Sequence, residues 1–345
     1  MKKFDFVIGN PPFNKESQGE NESDTPLYHL FYDASFNISD KVELISPGRF
    51  LFNAGYTPKK WNKKILNDEH FKVLYYNSKS GDVFKGKDIK GGITITYRDK
   101  NKMYNPIITF TPFPELNSIK NKVLKLKERS LSEVVSNRGL YKYSKKAYQE
   151  EAKELEKTAD ARIAPSAFKR MPKLFTDKKP DDNNEYIKIF GVLNTKRTYK
   201  WLRKDYIRNV ENIYKYKVMI PKANGSGSIG EVLSTPLVGY PLVGYPLVGF
   251  TETFISIGET NYKNEAEATL RYIKSKFARV MLGILKVTQN NAKPTWKYVP
   301  LQDFTENSDI DWSRSISEID QQLYKKYGLN KKEIKFIEEN VEEMS

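Results

Sequence analysis

The sequence predicts an α/β fold over residues 1–115, followed by a mixed α+β region and a helical tail. Three observations carry this. Short apolar runs bounded by Gly, Pro and Asn alternate with apolar-periodic stretches over residues 4–99, which is the strand–helix alternation of an α/β layer. The texture changes after about residue 115, where Lys-rich segments, Gly/Pro/Asn turns and an internal repeat replace the alternation. The last forty or so residues then read as charged amphipathic helix.

Phe4–Ile8 (FDFVI), stopped by Gly9 and Pro11, is read as a buried strand. NKESQGENESD is a polar loop. PLYHLFYDASFNI, opened at Thr25 or Pro26, is a helix ending near Ser39. KVELIS (41–46) is the second strand, Pro58–Asn67 a second helix and FKVLYYN the third strand. A Gly-rich connection, Lys85–Gly92, enters a fourth, GGITITYRD, whose Thr alternation gives it one polar face. The pattern predicts a largely parallel sheet with an antiparallel hairpin at one edge. Beyond it, Glu115–Lys127, AYQEEAKELEKTADA, Glu265–Lys286, SISEIDQQLYKKYG and KKEIKFIEENVEE are predicted helices, with Ala266, Leu270, Ile273 and Phe277 on one face of the longest.

Composition narrows the chemistry. The 345 residues include no cysteine and only two histidines, which excludes disulfides, a thiol nucleophile, thiolate zinc and histidine-rich metal sites. No metal site is expected. No apolar run reaches the ~18 residues of a membrane span and the N-terminus does not read as a signal peptide, so the expected location is the cytoplasm, with no membrane partner. The formal charge is +15, and its distribution is uneven. Residues 1–100 carry 16 basic and 13 acidic side chains, residues 101–300 carry 36 and 19, and residues 301–345 carry 6 and 11. The basic middle mixes cations with aromatics in GLYKYSKK, TKRTYKWLRKDYIRN and NIYKYK. Phosphate neutralisation combined with stacking is what a nucleic-acid surface requires; a solvated Lys-rich surface is the alternative. Arg138, Lys142, Lys196, Arg197, Lys200, Trp201, Arg203 and Lys222 are the candidate DNA contacts.

Two further features need separate readings. PLVGY, PLVGY and PLVGF occupy residues 236–250. Proline at every fifth residue rules out a helix or central strand and predicts a loop or irregular sheet edge, either a tolerated expansion or a tuned nucleic-acid loop. Gly225-Ser-Gly227-Ser-Ile-Gly230 fits a phosphate-binding pattern, but no long helix can follow it, and it is read as a flexible loop that lets backbone approach DNA. His29 and His70 read as packed or capping residues, and Trp61, Trp296 and Trp312 as core.

The sharpest motif is Asn10-Pro11-Pro12-Phe13, directly after a strand. The lone pair of adenine's exocyclic amine is delocalised into the ring. Acceptors on both of its N–H groups, the Asn10 side-chain carbonyl and the Pro11 backbone carbonyl, can localise it on nitrogen. Pro12 fixes the local backbone, and Phe13 offers a face on which an extruded base can stack.

FDFVIGNPPF resembles the catalytic motif of adenine-N6 DNA methyltransferases of bacterial restriction–modification systems, and the resemblance extends along the chain. VELISPGRFL and YYNSKSGDVFKGKDIKGGITITYRD resemble strands of the family's catalytic sheet and the border of its base pocket. KVMIPKANGSG, TETFISIG and IKSKFARVMLGILKVTQNNAKPTWKYVPLQDF resemble its target-recognition region, and DIDWSRSISEIDQQLYKKYGL its tail. The resemblance implies part of a doubly wound, Rossmann-like methyltransferase sheet in 1–115, a target-recognition domain in 116–305 and an acidic helical tail in 306–345. It also implies S-adenosylmethionine as methyl donor and double-stranded DNA as partner. In the family the donor site precedes the catalytic motif, which here begins nine residues from Met1. The resulting expectation is a split enzyme completed by an N-terminal methyltransferase half, or the product of a disrupted gene, with FDFVI presenting an apolar edge. The alternatives are a non-catalytic DNA-recognition subunit or fragment serving a restriction enzyme, and an RNA or protein methyltransferase.

Overall fold

A computed structural model describes residues 4–15, 25–53, 56–86, 89, 91–235 and 239–344. Most of the predicted polar loop and residues 236–238 of the first repeat lie outside the described residues. The chain divides into two compact units, 1–117 and 118–345.

The first unit is a four-stranded sheet with helices on one face. β1 (Val7–Gly9) leads into a two-residue ladder, β2 (Asn14–Lys15) against β3 (Thr25–Pro26), and then α1 (Tyr28–Ile38). β4 (Lys41–Pro47), α2 (Lys59–Leu66), β5 (Phe71–Asn77) and β6 (Ile93–Asp99) follow, and α3 (Pro114–Lys125) carries the chain out. The strand order is β1-β4-β6-β5. β1 pairs parallel with β4, whereas β6 pairs antiparallel with both β4 and β5. The expected largely parallel sheet is therefore mixed, while β5–β6 is the antiparallel hairpin expected at one edge, with β5 outermost. The β5–β6 connection, residues 78–92, holds no α-helix among the described residues to serve as the crossover that a parallel return usually uses.

α1 and α2 are amphipathic, and their apolar stripes bury Tyr28, Tyr32, Trp61 and Ile65 against Val42, Leu44, Phe50 and Phe71. The Thr alternation of β6 does make one polar face, but that face is inward. Thr94 and Thr96 are buried beneath α1, where the Tyr32 hydroxyl hydrogen-bonds with Thr96 Oγ1 (2.6 Å) and Ser46 Oγ (3.1 Å). Each buried hydroxyl thus finds a partner. FDFVI is not the buried strand expected. β1 is an edge strand with one neighbour, and Phe4, Phe6 and Ile8 are 55%, 45% and 73% exposed.

The second unit starts with short helices, α4 (Lys145–Glu150), α5 (Ala152–Leu155) and α6 (Ala167–Arg170). The single helix predicted over AYQEEAKELEKTADA is broken at Glu151 (φ −126°, ψ 36°). Ala147 and Leu155, on either side of the break, are both buried. β7 (Tyr186–Leu193) and β8 (Lys196–Arg203) form a hairpin through Asn194 and Thr195, both at positive φ, as a two-residue type I′ turn requires. β9 (Tyr216–Pro221) is the centre of a second sheet flanked by β10 (Leu242–Gly244) and β12 (Phe254–Thr260), while β11 (Val248–Phe250) joins β7 in parallel.

The second and third repeats thus supply edge strands to two different sheets. They agree with the sheet-edge reading, but they are built into the core, since Val248 and Phe250 are buried. The long helix predicted over 265–286 is two, α7 (Lys263–Lys274) and α8 (Lys276–Leu282), divided at Ser275, whose side chain accepts from the Ala278 N–H (3.1 Å). α9 (Ile316–Lys326) and α10 (Lys331–Asn340) belong to this unit. Among the described residues no helix is long and apolar enough to cross a membrane.

Candidate active site and nucleic-acid interface

β1, β4 and β5 point the same way, so the loops that leave them gather at one end of the sheet, where ligands of open α/β sheets bind. Asn10–Phe13 leaves β1 at that end. Pro11 is buried, Asn10 and Pro12 are exposed, and Phe13 is half-buried. The exit of the motif is pinned by the Leu27 N–H donating to the Phe13 carbonyl (2.9 Å) and by the β2–β3 ladder. The Asn10 amide is thereby left accessible on a fixed backbone, next to a proline carbonyl without a competing N–H.

Phe13 has an aromatic neighbour that its sequence position does not reveal. Phe84 meets it edge to face, ring centroids 6.2 Å apart. Phe84 is held by its N–H donating to the Ser80 carbonyl (2.8 Å) at the end of the 3-10 turn Ser80–Asp82. The segment carrying it is stapled to the loop after β4, where the Gly48 N–H donates to the Gly92 carbonyl (2.9 Å), and to β5, where the Tyr76 hydroxyl donates to the Gly91 carbonyl (3.3 Å). A signal for Phe84 exists in the sequence, the one aromatic residue between Asn77 and Ile93, flanked by Gly81 and Gly86.

The glycines at this end are filled from within. A Cβ on Gly48 would lie 2.9 Å from the Gly91 carbonyl oxygen, and one on Gly91 (φ +89°) 2.3 Å from Arg49 Cγ. Neither offers an open cradle for a bound phosphate or nucleoside.

The cationic candidates fall into two groups in the second unit. Lys196, Arg197, Lys200, Trp201 and Arg203 lie along β8. Lys200 is 8% exposed and ion-paired with Asp177. Arg203 stacks over the Tyr206 ring and pairs with Glu150 and Asp205 at 2.8 Å each. Arg197 lies over Phe190, and half-buried Trp201 takes Lys188 over its face at 5.1 Å. Lys196 and Lys142 are exposed. Arg138 and Lys222 sit elsewhere, around buried Glu252, to which Arg138 Nε donates at 2.5 Å and Arg162 Nη1 at 2.8 Å.

The glycine loop 225–230 is closed on itself. The Ser226 and Gly227 N–H groups donate to the Glu231 carboxylate (2.8 and 3.0 Å), which is ion-paired with buried Lys286. The concavity a phosphate would occupy holds the chain's own carboxylate. A Cβ on Gly227 (φ +96°) would lie 2.2 Å from the Thr288 nitrogen, so these glycines serve internal packing rather than the open, flexible approach to DNA expected from the sequence.

The Eco57I restriction-modification methylase family matches residues 1–84. No curated protein matches the chain. Solved structures that match include the type IIG restriction endonuclease BpuSI, at 10% identity over 87% of this chain and 44% of that one, with a TM-score of 0.33. A nuclease-deletion mutant of the Type ISP restriction-modification enzyme LlaGI, in complex with a DNA substrate mimic, matches at 10% identity over 98% of this chain and 35% of that one (TM-score 0.25). The Type IIL restriction-modification enzyme MmeI in complex with DNA matches at 10% identity over 97% and 56% (TM-score 0.31). This chain thus spans 35–56% of the length of these structures.

Proposed function

We propose that this chain carries the adenine-binding and DNA-recognition parts of an adenine-N6 DNA methyltransferase of a restriction–modification system. The observation that carries the reading is the placement of Asn10–Phe13, exposed at the ligand-binding end of the sheet with Phe84 beside Phe13, inside the segment that the methylase family matches. The substrate is an adenine extruded from duplex DNA. The Asn10 carbonyl and the Pro11 backbone carbonyl accept the two N6 hydrogens and localise the nitrogen lone pair. Phe13 stacks on the ring, with Phe84 closing its edge. The cations of the second unit neutralise phosphates.

The methylase family implies S-adenosylmethionine as donor. The described loops at this end do not fit it: Gly48 and Gly91 are filled by neighbouring atoms and leave no cradle for a donor. Donor binding is assigned to a further polypeptide segment that pairs with the open edge of β1 and covers Phe4, Phe6 and Ile8. That segment is an N-terminal methyltransferase half.

The same misfit favours a second reading, DNA recognition without catalysis in the service of a restriction subunit. Co-expression with the neighbouring genes in a host free of adenine methylation separates the two. N6-methyladenine in the host DNA that Asn10→Ala abolishes supports the first reading. Sequence-specific DNA binding without any methylation supports the second.

A further inference from the structure

The second unit contains a cleft of about 530 Å³ whose walls include Asn137, Arg138, Lys222, Gln289, Asn290 and Lys293. It is built from segments far apart in sequence and fixed by main-chain bonds. On one wall the Asn224 N–H donates to the Gln289 carbonyl and the Asn291 N–H to the Lys222 carbonyl, both 2.8 Å, while buried Asn291 Nδ2 donates to the Pro221 carbonyl (3.0 Å). Gln289 and Asn290 are therefore exposed side chains on a rigid ladder. The Gly227 packing against Val287 and Thr288 supports the same ladder from behind. On the opposite wall the Ser136 N–H donates to the Ser256 carbonyl (2.8 Å) and the Ser256 N–H to Ser136 Oγ (2.9 Å), which holds Asn137 and Arg138 in place.

The charge in this cleft is unbalanced. Buried Glu252 faces Arg138 and Arg162, and Arg162 also pairs with Asp160, so two carboxylates match the two guanidiniums and the cations left over are Lys222 and, on the rim, Lys293. Among the described residues no acidic side chain lines the cleft. Partial burial, and then the Arg138 and Arg162 guanidiniums, outweigh Glu252 and lower the pKa of Lys222. Such crowding of like charge around a concave surface is relieved by a bound anion. The exposed amides between the cations present a donor and an acceptor together. That pattern matches the N6/N7 edge of adenine in the major groove, whereas ammonium groups match phosphate oxygens.

We propose that this cleft is where the second unit reads duplex DNA, with Lys222 and Lys293 on phosphates and Gln289 and Asn290 on a base edge. The assignment rests on the DNA-methyltransferase reading above and adds the residues that set sequence preference.

The test uses the full chain and a pool of randomised duplex DNA, with affinity measured across a salt series. In Lys222→Gln/Lys293→Gln, binding to all sequences should weaken alike, and the slope of log affinity against log salt should shrink by about two, at ~0.9 per phosphate contact. Lys293→Gln alone, a rim change, should remove about one. Lys222→Arg/Lys293→Arg should restore the slope. In Gln289→Ala/Asn290→Ala the slope should hold, while discrimination at one base position falls about tenfold or more. If wild type selects a sequence and none of the variants departs from it, the cleft assignment is overturned and the DNA reading stands. If wild type binds no DNA, the DNA reading itself fails and takes the assignment with it.

Discussion

Phe13 and Phe84, seventy-one positions apart in the sequence, meet edge to face at 6.2 Å at the open end of the first unit's sheet. The pair joins the Asn10–Phe13 loop to the glycine-bounded loop before β6. In the function proposed above it gives an extruded base a stacking face and a side wall.

This geometry predicts separate effects on turnover and binding. An edge-to-face aromatic contact is worth about 0.5–1.5 kcal/mol. Phe84→Ala, assayed with the donor-binding segment present, should lower methyl transfer by about 2- to 10-fold, with duplex binding close to wild type. Phe84→Tyr should retain most of the activity. Transfer rates read against binding isotherms check this, and an unchanged rate in Phe84→Ala would remove Phe84 from the site.

The glycine loop is predicted to be a stability element. Lys286 is 2% exposed, and its ammonium pairs with Glu231 and donates to the Asn224 and Thr288 carbonyls (3.0 and 3.2 Å). Lys286→Met strips a largely buried carboxylate of its partner and should cost about 3–5 kcal/mol. Lys286→Met/Glu231→Gln should cost less than the single change. Chemical denaturation measures both, and a harmless single substitution would contradict the packing account.

Lys217 predicts a pH dependence. It is 1% exposed, and its ammonium donates to the Asn212 and Lys215 carbonyls (2.7 and 3.1 Å). Burial, only partly offset by Glu259, lowers its pKa from 10.5 to about 7. Between these values the unfolded chain holds the extra proton, so this group makes the fold more stable as pH rises from about 7 toward 10.5. Wild type should gain about 4 kcal/mol relative to Lys217→Met over that window. The slope of the difference is the diagnostic quantity, because lost hydrogen bonds only offset it. Parallel pH profiles would refute the prediction.

The repeats predict a stepwise response to deletion. β10 and β11 come from the second and third copies and pair with β9 and β7. Removing one PLVGY unit leaves two copies to supply both strands and should shift the melting temperature by no more than about 3 °C. Removing a second must forfeit one sheet edge and should lower it by far more. Unfolding after the first deletion would contradict this.

How much was legible in the sequence depended on how local the cause was. FKVLYYN marked β5 residue for residue because an apolar and aromatic run ends at both sides in polar turn residues. The inward face of Thr94 and Thr96 was not legible, because it depends on the Tyr32 hydroxyl arriving from another element. The break at Ser275 was hidden for the same reason: Asp320, from α9, accepts from the Lys276 and Phe277 N–H groups and caps α8. Asn10–Phe13 stood out because its parts are contiguous, whereas Phe84 and the Arg138–Lys222–Gln289 cleft are assembled by folding. Lys200 and Arg203 looked identical to free cations in sequence, and only the fold brings Asp177, Glu150 and Asp205 to them.

The central claim is that Asn10 and Pro11 hold and activate an adenine amine. Its most direct test is N6-methyladenine formation in duplex DNA by the full chain combined with its donor-binding segment, comparing wild type with Asn10→Ala. The account predicts methylation by wild type and none above background by Asn10→Ala, with DNA affinity and thermal stability nearly unchanged. Retained methylation in Asn10→Ala would contradict it.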